Sequence, residues 1–127
     1  MPKVPEKGKA VLETYKNQAL ILIYWLKMLD ANAILKRIEE NINVIRSYGV
    51  KRIGVFGSYV EGKQKPDSDI DILVEFEKGK KNFDNYMELK FFLEKILENK
   101  VDLVISESIK PELKPYILKS VKYAAGS

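Results

Sequence analysis

The chain has 127 residues, 46% of them hydrophobic and 31% charged, with 22 Lys and Arg against 18 Asp and Glu for a net charge of +4. A chain of this length removes roughly two thirds of its unfolded surface from water on folding, enough for one compact domain that needs no disulfide or structural metal. Cys and His are both absent, which excludes zinc fingers, thiolate nucleophiles, haem or iron-sulfur ligation and any Ser-His or Cys-His relay. Carboxylates, hydroxyls, Lys and Arg remain for chemistry, and any metal involved is a hard, oxygen-bound ion such as Mg2+. Acidic and basic residues are interleaved through most of the chain, unlike the concentrated basic face of a dedicated nucleic-acid binder, so no direct nucleic-acid binding is expected.

Residues 1–10 are rich in Lys, and residues 19–26 form an unbroken apolar run. A membrane span needs about 20 such residues, so no membrane association is expected. Lys3, Lys7 and Lys9 ahead of the run, with Ala31-Asn32-Ala33 after it, resemble a secretory signal, but Lys27 and Asp30 interrupt that pattern. The preferred reading is a cytoplasmic protein with an N-terminal helix over 11–29, apolar on nearly all sides. Such a helix is expected to lie in an interface, as a homodimer contact or as a docking surface for a partner.

Asp30 or Asn32 suits the N-cap of a second helix, with Ile34, Ile38, Ile42 and Ile45 at spacings of three and four and Gly49 at its end. Residues 51–56 read as a strand, residues 57–62 as a turn with a short helix, and Pro66-Asp67-Ser68 as a second turn. Over 69–77 the alternation is nearly strict. Ile70, Ile72, Val74 and Phe76 fall on one face, and Asp69, Asp71, Leu73, Glu75 and Glu77 on the other, which predicts a strand with one face in the core.

Asn82 or Asp84 begins a third helix with Tyr86, Leu89, Leu93 and Ile96 on its buried stripe, closing near Asn99. Residues 101–105 form a third strand, and a last helix is expected over 111–123 with Leu113, Tyr116, Ile117, Ser120 and Val121 facing inward. The alternation of helices and strands predicts an α/β fold, a small sheet with flanking helices. The expected organisation is an extension helix over 1–29, a domain over 30–124 and a tail over 125–127.

Chemistry concentrates between residues 57 and 71. Asp69 and Asp71 are two apart on a strand, so both carboxylates stand on one face with Cα atoms about 6.5 to 7 Å apart. Like charges so close repel unless a cation lies between them, and a divalent ion there would also grip a phosphate. Upstream, Gly57-Ser58 directly follows an apolar strand. Gly permits a sharp turn and a close backbone approach, while the Ser hydroxyl and adjacent N–H groups suit phosphate oxygens. Each piece alone is an ordinary turn or a solvated face. The ordered combination of strand, Gly-Ser, ten residues and Asp-x-Asp on a second strand is much more specific.

That combination, Gly57-Ser58 followed by Asp69-Ile70-Asp71 and flanked by Gly54-Val55-Phe56 and Ile72-Leu73-Val74, resembles the signature of the polymerase β-like nucleotidyltransferase superfamily, above all its minimal, MNT-type members. The likeness covers roughly residues 30–123 and implies that family's mixed-sheet fold. It also implies a third carboxylate on the next strand, where Asp102 stands between Val101 and Leu103. Asp69, Asp71 and Asp102 would then be the catalytic and metal-binding set for two Mg2+ ions, with Gly57 and Ser58 on the β- and γ-phosphates of ATP.

One departure is Glu61-Gly62, where many members carry Arg before the Gly. Lys63 or Lys65 is the nearest replacement for the missing positive charge. Minimal members resemble the antitoxin half of a two-gene pair whose partner is a helical HEPN toxin, and the resemblance implies transfer of AMP from ATP to a toxin tyrosine hydroxyl. The alternatives are a non-catalytic binding module, which Glu61 favours, and a small-molecule nucleotidyltransferase. A chain of this length is expected not to carry the extra substrate domain that the latter would normally add.

Overall fold

A computed structural model describes residues 30–65 and 67–127 of the chain. The helix expected over 11–29, and the interface assigned to it, lie outside the described residues. Helix α1 (Ala31–Glu40) opens at Asp30, whose extended backbone lets its carboxylate accept the Ala33 N–H at 2.9 Å. The Ala31-Asn32-Ala33 triplet is therefore the first turn of a helix. The expected single helix is two: the chain breaks at Asn41, whose side-chain amide donates back to the Arg37 carbonyl at 2.8 Å, and resumes as α2 (Ile42–Ser47). Such a bond from side chain to backbone competes with the helical ladder and bends the axis. The apolar stripe survives the break, with Ile34, Ile38 and Ile45 fully buried.

Strand β1 (Val50–Phe56) leads through the short helix α3 (Ser58–Glu61) to β2 (Ile70–Phe76), its antiparallel neighbour. Helix α4 (Phe83–Leu97), capped by Asn82 on the Asn85 N–H at 2.9 Å, crosses over to β3 (Val101–Ile105), which pairs parallel to β2. After a 3-10 turn (Ser106–Ser108) come α5 (Lys114–Ser120) and β4 (Lys122–Tyr123), antiparallel to β1. The mixed sheet has the order β3-β2-β1-β4.

The sheet has two unequal faces. Ile53, Val55, Ile70, Ile72, Val74 and Leu103 join Ile34, Ile38 and Ile45 from α1 and α2 and Leu89 and Leu93 from α4 in the main core. Each fully buried Ile or Leu contributes roughly 1.5 to 3 kcal/mol, so this side carries most of the stability. The opposite face has a small cluster of Phe56, Leu73 and Ile117, bordered by Val104, Ile109, Val121 and Tyr123. Leu73, assigned by alternation to the polar face of β2, is thus buried on that face beneath α5.

The last helix is shorter than expected. It ends at Ser120, because Val121 turns to extended backbone (φ −65°, ψ 137°) and the chain joins the sheet as β4. Of the predicted inward stripe only Ile117 is buried; Leu113 and Tyr116 are exposed. Gly54 allows β4 to lie this close, since a Cβ there would meet the Lys122 carbonyl oxygen at 2.8 Å. Beyond β4 the Ala124 N–H donates to the Ile53 carbonyl (2.9 Å) and the Ala125 N–H to the Glu39 carboxylate (2.7 Å). Among the described residues, no helix is long and apolar enough to cross a membrane.

Candidate active site

The sheet register brings the acidic residues together. Asp71 stands beside Asp102 across the parallel β2–β3 pair and beside Phe56 across the antiparallel β1–β2 pair. Adjacent strands lie about 4.8 Å apart, so residues paired in register place their side chains side by side on one face. Asp69 precedes β2 by one residue and is exposed, as is Asp102; Asp71 is half-buried between them.

Gly57 follows β1 directly and has φ 77° and ψ −146°, backbone that L side chains rarely adopt. A Cβ on Gly57 would come within 2.1 Å of Asp71 Oδ2. The Gly is required both for its backbone angles and for the Asp71 carboxylate packed against it. The next amide, the Ser58 N–H, favours the charged form of Asp71. The Ser58 hydroxyl is left uncommitted among the described residues.

The electrostatics follow from this arrangement. Burial raises the Asp71 pKa most, and the negative charge of Asp102 and then of Asp69 adds to it. The Ser58 N–H opposes them, and the result is about 6 against an ordinary 3.8. Tyr59, buried just after Ser58, is raised chiefly by burial and also by the charges of Asp69 and Asp71, while its hydrogen bond from Asn99 acts the other way. Each of these groups therefore senses the same accumulation of negative charge.

Asp69, Asp71 and Asp102 are thus drawn to the starts of β2 and β3 at one end of the sheet, but among the described residues no group of three carboxylates closes round a point as a finished metal cage. Their donor chemistry nevertheless fits a hard divalent cation. All the donors are carboxylate oxygens, and a cation beside Asp71 would offset the burial and the repulsion by Asp102 and Asp69 that raise its pKa to about 6.

Lys63 and Lys65 lie in the exposed loop after α3. Their backbone amides stabilise it, Lys63 N–H donating to the Ser58 carbonyl (2.9 Å) and Lys65 N–H to Ser68 Oγ (2.8 Å), with both residues exposed. Glu61, the departure noted above, accepts a hydrogen bond from the Tyr116 hydroxyl of α5 at 2.7 Å. That bond and the charge of Glu61 raise the Tyr116 pKa. Tyr116 was assigned to the core by its spacing, and its contact with Glu61 has no signal in sequence.

A sheet with a Gly-Ser turn after one strand and carboxylates on the next two defines the nucleotidyl-transfer class of site. The nucleotidyltransferase domain model matches residues 33–124. The protein adenylyltransferase MntA of Thermococcus cleftensis is 46% identical over 76 residues, which cover 60% of this chain and 76% of that protein. A solved structure described as a "putative minimal nucleotidyltransferase" superposes with TM-score 0.65 and 32% identity over 75% of this chain and 96% of its own. The tri-AMPylated Shewanella oneidensis HEPN toxin in complex with MNT antitoxin supplies another similar chain (TM-score 0.52, 26% identity, 73% of each chain covered). The chain belongs to the nucleotidyltransferase domain family as a minimal, MNT-type member, and it is a nucleotidyltransferase enzyme.

Proposed function

We propose that this protein moves AMP from ATP to a tyrosine hydroxyl of a helical HEPN-type toxin, as the cytoplasmic antitoxin of a toxin-antitoxin pair. The observation carrying this reading is the register that sets Asp71 against Asp102 with Gly57-Ser58 directly above, combined with the likeness to an MNT antitoxin in complex with an AMPylated toxin.

In this reading the Ser58 hydroxyl and the backbone at Gly57 bind the β- and γ-phosphates of ATP. Asp69 and Asp71 would hold Mg2+, and Asp102 would complete the set and orient the acceptor hydroxyl. When bound, Mg2+ would supply charge neutralisation at the transferring phosphoryl group. Lys63 and Lys65 reach the triphosphate from the loop after α3. The acceptor hydroxyl gives its proton to Asp102 as its oxygen attacks the α-phosphorus, the bond from the α-phosphorus to the bridging oxygen breaks, and pyrophosphate leaves.

Glu61 favours a second reading, a non-catalytic antitoxin that retains nucleotide or only the partner contact. The test is incubation of the full chain with α-labelled ATP, Mg2+ and a candidate helical HEPN-type protein. Label on a partner tyrosine, absent with Asp71→Asn, is the expected result. Partner binding without label would establish the second reading, and label on a small molecule instead would overturn the protein acceptor.

A further inference from the structure

We propose that Asn99 is a positioning residue that ties together the three segments delivering Ser58, Asp69 and Asp102 to the site; the inference rests on the function proposed above. In the sequence Asn99 marks only the end of a helix. In the structure its side chain sits where α3, the loop before β2 and the start of β3 meet. Asn99 Nδ2 donates to the Tyr59 hydroxyl at 3.1 Å and to the Ser68 carbonyl at 3.2 Å, while Asn99 Oδ1 accepts the Lys100 N–H at 2.7 Å. The Tyr59 hydroxyl closes the triangle by donating to the Ser68 carbonyl at 3.4 Å.

Each partner adjoins a site residue. Tyr59 follows Ser58 on α3. The Ser68 carbonyl belongs to the same rigid peptide plane as the Asp69 nitrogen, so fixing that carbonyl fixes the departure of Asp69, which lies outside β2 and has no place in its ladder. Lys100 precedes β3 by one residue and Asp102 by two, and its carbonyl accepts the Ile70 N–H at 2.9 Å, bringing the starts of β2 and β3 level.

Asn is specified by its hydrogen bonds. The Lys100 N–H demands an oxygen on one side, and the Tyr59 hydroxyl and Ser68 carbonyl take donors on the other. Asp offers no donor and Ala offers neither group. Groups hydrogen-bonded directly to metal ligands typically change metal affinity about 10- to 100-fold when lost, and Asn99, one bond further out, is expected at the lower end of that range. Lys63, Lys65, Asp67 and Asp69 between α3 and β2 are exposed, and the Asn99 bonds add to the backbone bonds of Lys63 and Lys65 there.

The test uses the full chain, Mn2+ alone as the probe, and calorimetric titration of the metal-free protein, with AMP transfer measured in parallel. Asn99→Ala is expected to weaken Mn2+ binding about 10-fold and to lower kcat more than it raises the KM for ATP. Tyr59→Phe, which leaves the Asn99 bond to Ser68 in place, should weaken Mn2+ binding by a smaller factor in the same direction. Asn99→Gln should recover part of the loss. A purely structural role would lower the melting temperature and leave the Mn2+ affinity of the folded protein unchanged, and that outcome overturns the proposal.

If Asn99→Ala does not fold, wild-type Mn2+ affinity in Tyr59→Phe overturns it equally. A wild-type chain that binds no Mn2+ overturns both this proposal and the metal-dependent function. Normal Mn2+ binding without AMP transfer counts against the function alone, because the comparison of variants by Mn2+ affinity still decides the role of Asn99.

Discussion

Replacing Asp71 by Asn should stabilise the metal-free protein at neutral pH and abolish its activity. Burial, Asp102 and Asp69 together raise the Asp71 pKa from 3.8 to about 6. A shift of about two units corresponds at face value to about 3 kcal/mol. Asp71 is only half-buried, and solvent screening reduces this to about 1 to 2 kcal/mol.

The folded-state value is the higher one, so the native protein binds the extra proton. Its stability is then undiminished below about pH 4 and falls as pH rises through about 6, beyond which the full penalty remains. Asn is nearly isosteric, keeps an oxygen for the Ser58 N–H and fits against Gly57, yet carries no charge. At pH 7.5 with chelator present, Asp71→Asn should melt about 4 to 8 °C above wild type, and near pH 4 the two curves should converge. Thermal or urea denaturation at the two pH values measures this directly. Equal stabilisation at both values, or none at pH 7.5, would refute the account of the carboxylate cluster.

Gly57→Ala should destabilise by about 2 to 4 kcal/mol, since it combines a disfavoured positive φ with a Cβ driven into Asp71 Oδ2, and a melt followed by circular dichroism checks it. Ser58→Ala should leave the melting temperature unchanged and impair ATP kinetics about 5- to 150-fold, the equivalent of losing a hydrogen bond of about 1 to 3 kcal/mol to a charged phosphate. Tyr116→Phe should raise the KM for ATP a few-fold by releasing Glu61 toward the triphosphate. In a Glu61→Gln background the same change should have no effect, and a persistent effect there would show that Tyr116 acts by another route.

The parts legible in sequence are those where period and burial agree. β2 alternates because its main-core face is covered by the apolar stripes of α1, α2 and α4, and the Ile stripe of α1 and α2 survives even the break at Asn41. The C-terminal segment was misread for the opposite reason. Leu113, Tyr116 and Ile117 have helical spacing, but the sheet face above Leu73 is small and only Ile117 finds cover. A two-residue strand such as β4 has no period to detect, and its place follows from its ladder with Gly54 and Val55. Gly57, Ser58, Asp69 and Asp71 stand close together in sequence as a motif, whereas Asp102 could be named only through family resemblance. Its pairing with Asp71, like the bonds of Asn99, comes from tertiary register between distant segments.

The unequal faces of the sheet also divide the protein by how readily its parts open. α1 and α4 are held by Ile34, Ile38, Leu89 and Leu93, all fully buried, and should release their amides to exchange only in global unfolding. α5 buries only Ile117 among its own residues, so it can lift from the sheet at a small fraction of that free energy. Lifting it would break the bond from Tyr116 to Glu61 and uncover the face that bears Asp71, with the main core undisturbed. Amide exchange should therefore be fast in α5 and slow in α1 and α4 opposite, giving the active-site side of the molecule a hinged wall on a rigid floor.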